Sequence, residues 1–93
     1  MRWKLFATLS ETVGDNVVEV PVDAEEPTLR DAFDALLAAY PDLEPQVLDD
    51  DDTLQDHLRI LSDGEDPFHS ATGWDTDVSD VGELAMFPPV TGG

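Results

Sequence analysis

One stretch constrains this chain more than any other: TLRDAFDALLAAYP, residues 28–41. Leu29, Ala32, Phe33, Leu36, Leu37 and Tyr40 recur at steps of three and four, the spacing of one apolar stripe on a helix. Thr28 supplies an N-cap hydroxyl, with Asp31 three positions on to complete a capping box. Pro27 precedes the cap, and Pro41 ends the run. A single one-faced helix must bury its stripe against something, and the flanks supply strands. RWKLFAT (2–8) alternates, with Trp3, Leu5 and Ala7 on one face. VVEVPV (17–22) alternates through Val18, Val20 and Val22, and Pro21, which donates no ladder hydrogen bond, points to an edge or outward position. The Gly and Asp-Asn chemistry of residues 11–16 predicts a turn and hence a hairpin.

Beyond the helix, residues 41–57 read as irregular, with Pro41, Pro45 and the acidic run Asp49 to Asp52. That run lacks the alternating ligands and central glycine of a calcium loop and reads as a solvated loop. LRIL (58–61) is a short strand and Asp63-Gly64 a tight turn. Residues 67–80 read as loop with a short strand around Phe68. ELAMF (83–87) is the last strand, with Leu84 and Met86 facing in and Ala85 and Phe87 facing out. Strand, strand, helix, then more strands specifies an α+β domain with the helix across one sheet face. The 93 residues suffice for one such domain.

Charge narrows the function. Twenty-two acids face one lysine and three arginines, a net charge of −18. Nucleic acid needs a basic footprint, so it is excluded as a partner. The lysine-poor, Asp-rich balance is that of a halophile's surface, where strong salt shrinks charge repulsion to a few ångströms. The chain has no cysteine, and therefore no disulfide, thiolate metal site or cysteine nucleophile. No apolar run approaches a signal peptide or a membrane span, so a soluble cytoplasmic monomer is expected. His57 and His69 are far apart and read as surface residues rather than a metal site. Trp3 and Trp74 read as packing residues. No phosphate loop or nucleophile motif is visible, and no metal or bound cofactor is expected.

The C-terminal end is more unusual. FPPVTGG leaves a strand at Phe87, loses two backbone donors at Pro88 and Pro89, and continues through Val90 and Thr91 to Gly92 and Gly93. Division into a domain over 1–87 and a flexible tail over 88–93 is expected. Six extended residues reach roughly 20 Å. Two glycines make a tip slim enough for a narrow channel and leave the terminal carbonyl open to attack. A carboxylate is a poor electrophile, so such a tip needs a second enzyme to activate it, for example as an acyl-adenylate. A sulfur donor then yields a thiocarboxylate; a thioester followed by a lysine amine yields an isopeptide. On Gly-Gly alone, an inert tail of small residues stands as the alternative.

The whole pattern resembles the ubiquitin-like β-grasp family of sulfur carriers, and within it the small archaeal modifier proteins and the small subunit of molybdopterin synthase. The matching pieces are WKLFATLSETVG, TLRDAFDALLAAYPDL, LQDHLRILSDGED and GELAMFPPVTGG, in order along nearly the full length. The resemblance implies a mixed sheet of four to five strands packed on one main helix. It implies that the chain is not itself a catalyst: a ubiquitin-activating-type enzyme, using ATP and magnesium, adenylates Gly93. The product is an isopeptide to lysines of target proteins, a thiocarboxylate for molybdenum-cofactor or tRNA-thiolation chemistry, or both. The alternative is a dedicated sulfur-donating subunit that serves only the large subunit of molybdopterin synthase. If first and last strands are neighbours, as a β-grasp implies, Phe6 and Phe87 share the face away from the helix with Leu61, an expected docking patch for the activating enzyme or a synthase large subunit, with ordinary packing under the 67–80 loop as the alternative. Val81-Gly82-Glu83 and the long 67–80 segment depart from the family pattern and point to reshaped loops.

Overall fold

In the computed structural model, which describes residues 1–51, 53–55, 58–70 and 72–88, four strands form one mixed sheet. They are β1 (Arg2–Leu5), β2 (Val17–Glu19), β3 (Arg59–Ser62) and β4 (Leu84–Phe87), in the order β2-β1-β4-β3. β1 pairs antiparallel with β2, Trp3 opposite Val18, and parallel with β4, Leu5 opposite Met86. β4 pairs antiparallel with β3, Ile60 opposite Met86. First and last strands are therefore neighbours at the sheet centre, as the resemblance implies, and the sheet has four strands rather than five.

Helix α2 (Leu29–Ala39) fulfils the expectation from its stripe, burying Leu29, Ala32, Phe33, Leu36 and Leu37. The capping box is complete: Thr28 Oγ1 accepts from the Asp31 N–H, and Asp31 accepts from the Thr28 N–H at 3.0 Å. Those side chains form one core with Trp3, Leu5, Val18, Ile60, Leu84 and Met86 from the inner face of the sheet. Each such large apolar side chain contributes about 1.5–3 kcal/mol when buried. Leu84 and Met86 point in, and Ala85 and Phe87 are half-exposed on the other face, as their alternation predicts.

Three expectations are corrected. The β1–β2 connection is no tight turn. Helix α1 (Thr8–Val13) fills it, drawn in by Leu9, which is fully buried. Gly14 ends it at φ 82°, its N–H donating to the Ser10 carbonyl, so the glycine read as a turn residue is a helix cap. Consequently β1 stops at Leu5, because Ala7 sits at φ 54°, outside any strand conformation. Second, residues 41–47 are not irregular. A 3₁₀ turn (Pro41–Leu43) runs into α3 (Glu44–Val47), and Leu43 and Val47 are both fully buried. Third, the segment around Phe68 is helical, α4 (Pro67–Ser70), followed by a 3₁₀ turn at Gly73–Asp75. Next to it, Thr76 and Val78 bond to the start of α2: the Leu29 N–H donates to the Thr76 carbonyl, and the Val78 N–H to that of Pro27. That pairing fixes the long segment against the helix. No helix among the described residues is long and apolar enough to cross a membrane.

Candidate functional site: the open sheet face and the root of the tail

The helix covers one face of the sheet, and the side chains of the other face can be read from the registers. Lys4 lies between Val17 and Ala85, Ala85 is opposite Leu61, and Arg59 is opposite Phe87. Phe6 follows directly after β1 and lies beside Phe87, ring centroids 5.9 Å apart and edge to face. That geometry suits the ring quadrupoles and contributes about 0.5–1.5 kcal/mol beyond area burial. Phe6 is 40% exposed, an unusual position for a large apolar ring. The structure thus brings Phe6 and Phe87 together. It leaves Leu61 half-buried on the same face, opposite Ala85 rather than opposite either ring.

Cations gather here. Lys4 Nζ lies 5.5 Å from the centroid of the Phe6 ring. Arg2 pairs with Glu83 at 3.7 Å, and Arg59 with Asp66 at 3.4 Å. Three of the chain's four basic residues therefore belong to the outer face of one sheet in a molecule of net charge −18. Arg30 is the exception, stacked 4.6 Å over Trp74. Glu83 and Asp66 partner two of these cations and Glu19 lies opposite Arg2, so the patch carries both signs of charge side by side.

β4 is an inner strand, with β1 on one side and β3 on the other. The chain leaves it at Phe87 and reaches Pro88, half-buried, with Phe6 across one flank and Arg59 across the other. The tail therefore departs from the middle of the patch. Pro89, Val90, Thr91, Gly92 and Gly93, the reactive end of the expected tail, lie outside the described residues, as does His57.

Loop carboxylates on the periphery serve as local caps. Asp49 accepts from the Thr53 hydroxyl at 2.8 Å and from the N–H groups of Asp51 and Thr53. These bonds, that from the Thr53 side chain foremost, hold its carboxyl below the ordinary carboxylate range. Asp77 is held low in the same way by Ser79. Among the described residues no group of three His, Cys, Asp or Glu side chains is placed to hold a metal ion.

The sequence matches the ThiS family over residues 3–93. The chain belongs to that family. Its members are small ubiquitin-like modifiers and sulfur carriers, and relatives share its whole length. Small archaeal modifier protein 1 of Haloferax volcanii is 48% identical over 93 residues, covering all of both chains. A crystal structure of SAMP1 from the same organism superposes with a TM-score of 0.84 at 45% identity, covering 100% of this chain and 98% of that one. The fold extends to a structure only 20% identical: the BexX/CysO complex of Amycolatopsis orientalis matches with a TM-score of 0.77 over 99% of this chain and 98% of that one.

Sequence reasoning missed one part of the surface. Phe33, Trp74 and Phe68 form a continuous aromatic group, with centroids 5.0 and 5.2 Å apart along it. Trp74 is a packing residue, as expected, but it also ties α2 to α4 through Phe33 and Phe68. Gly73, at φ 63°, makes room for that: a Cβ there would lie 3.2 Å from the Phe68 ring. The signal was the Gly73-Trp74 pair, which a loop reading of 67–80 gave no reason to single out.

Proposed function

We propose that the chain is a protein modifier and sulfur carrier whose reacting group is the Gly93 carboxyl, presented on a thin arm comprising residues 88–93. The carboxylate attacks the α-phosphorus of ATP, expelling pyrophosphate and forming an acyl-adenylate on a separate activating enzyme that uses magnesium. A sulfur nucleophile then displaces AMP to leave a thiocarboxylate. Alternatively, a thiol displaces AMP and a target lysine amine displaces the thiol, leaving an isopeptide. Activation is needed because AMP is a far better leaving group than hydroxide. Bare glycines at the tip remove side chains from the path of every nucleophile. The observation that carries this reading is membership of a modifier and sulfur-carrier family, with a relative aligned over the whole of both chains.

Docking of the activating enzyme falls to the outer sheet face around Phe6, Phe87 and Leu61. An aromatic pair at the root of the tail lets one partner hold the domain and receive the arm together. The Arg2–Glu83 and Arg59–Asp66 pairs and Lys4 give the rim mixed charges, which set the orientation of a partner more than its sign.

Mapping lysines linked to this C-terminus in the native cells tests the modifier half of the proposal. Branched peptides on many proteins, lost when Gly92 and Gly93 are deleted, are the expected result. Their complete absence, with a thiocarboxylated tail still present, assigns the chain instead to sulfur donation alone, as a dedicated synthase subunit.

A further inference from the structure

Lys4 is the only lysine of the chain, and it stands on the sheet face from which the tail departs. It is exposed, with Nζ 5.5 Å from the centroid of the Phe6 ring, and that ring lies 5.9 Å from the Phe87 ring. Laid end to end, the two spacings fall well short of the roughly 20 Å that six extended residues span. Pro88 and Pro89 stiffen the first step of the tail. The four residues after them span roughly 13 Å, and the glycines among them permit a reversal of direction. The end of the tail is therefore long enough to return to Lys4.

The amino group of Met1 is placed differently. It donates to the Val20 carbonyl at 2.7 Å, and the Val20 N–H donates to the Met1 carbonyl at 2.9 Å. β1 and β4 run parallel, so Met1 sits at the end of the sheet opposite the one from which the tail leaves. One amine is bonded and distant; the other is exposed and within reach.

We propose that Lys4 is an intramolecular acceptor for the activated terminus of its own chain, an inference that rests on the reading of Gly93 as the reacting group. Lys4 Nζ, as the free amine, attacks the Gly93 carbonyl carbon. An amide C–N bond forms, the bond to AMP or to a thiol breaks, and the leaving group takes the electron pair. The surplus proton of the amine passes to solvent. The product is the free-acid chain less one water, with no change of oxidation state. A short tether this close to its target gives an effective concentration in the millimolar range. The ring so closed crosses Phe6 and Phe87. It consumes the carboxyl and covers the patch together, so a closed chain is neither activated again nor docked. An enzyme seated on the patch covers Lys4, which confines closure to an activated chain that has been released undelivered.

The test uses the full chain carrying Gly93 as a thioester of 2-mercaptoethanesulfonate, installed by intein cleavage and followed by intact mass. Expected is first-order loss of the thiol to give the chain less one water, with a Lys4–Gly93 linkage in the digest. The rate stays the same at protein concentrations about a hundredfold apart, and Nα-acetyl-lysine amide at on the order of 1 mM competes equally with Lys4. Denaturing urea slows closure by about tenfold or more, because the two ends are then separated by nearly the whole chain. Lys4→Arg yields only the hydrolysed acid, and the time course of the unsubstituted chain stands independently of how that variant folds. Hydrolysis alone in the unsubstituted chain, linkage between two copies at a rate that rises with concentration, closure onto Met1, or closure as fast in urea as in its absence each overturn the inference. The thioester needs no activating enzyme, so failure to close refutes this inference alone, whereas failure of an enzyme to activate Gly93 refutes the reading on which it rests.

Discussion

Replacing Phe87 with alanine separates docking from folding. The ring is half-buried, and its neighbour Phe6 is 5.9 Å away. In the free protein the substitution removes an edge-to-face pair, about 0.5–1.5 kcal/mol, and part of one aromatic side chain's burial, for a total of about 2 kcal/mol. The inner face, with Leu84 and Met86 fully buried, is untouched, so the domain remains folded. In the proposed complex with an activating enzyme the same ring serves as an anchor at the root of the tail, and its truncation is expected to cost about 2 kcal/mol or more, or about thirtyfold in affinity. Equilibrium unfolding in urea gives the first quantity. The concentration dependence of ATP–pyrophosphate exchange by the activating enzyme gives the second. Phe6→Ala and the double variant complete a cycle, in which the two effects on affinity are non-additive because the rings touch. Unfolding displaced as expected with exchange kinetics unchanged would refute the assignment of this face to the activating enzyme.

Three further outcomes follow from the same geometry. Thr28→Ala removes the capping hydroxyl of α2 and destabilises the domain by about 1 kcal/mol, read as a lower urea midpoint. The thermal midpoint rises as KCl goes from 0.1 to 1 M, because screening falls from about 10 Å to about 3 Å around a net charge of −18; a flat profile contradicts the electrostatic reading. The Asp49 carboxyl is held low in the folded chain, so its stabilisation of the loop is present above the ordinary carboxylate range and lost as pH falls through its depressed value. The Thr53 amide reports this by NMR titration, and Asp49→Asn removes the transition.

What was legible in the sequence follows from element length and burial. Helix α2 presents five buried positions over 11 residues, enough for its period to stand out, and its cap residues carry the expected chemistry. β4 alternates without exception. Helix α1 has six residues and one fully buried side chain, Leu9, so it carries no period to detect; its glycine cap has the same appearance as a turn glycine. Residues 41–47 were obscured by their prolines, which occupy helix-starting positions there. The parallel pairing of β1 with β4 leaves no local signature, and the resemblance alone implied it. At the site, Phe6 stood out as a large apolar residue on a polar face, and Phe87 by its outward register. Their contact depends on that same non-local pairing. The charged surround of the patch was not anticipated, because Arg2, Lys4 and Arg59 come together only when β1, β4 and β3 align.

The most direct measurement is the intact mass of the chain after incubation with its activating enzyme, ATP and sulfide, with fragmentation to locate any change. Replacement of one oxygen by sulfur at Gly93, absent without ATP and absent when a residue is appended after Gly93, is the predicted result. An unchanged mass under conditions where the enzyme activates a known substrate, or sulfur carried anywhere other than Gly93, contradicts the account.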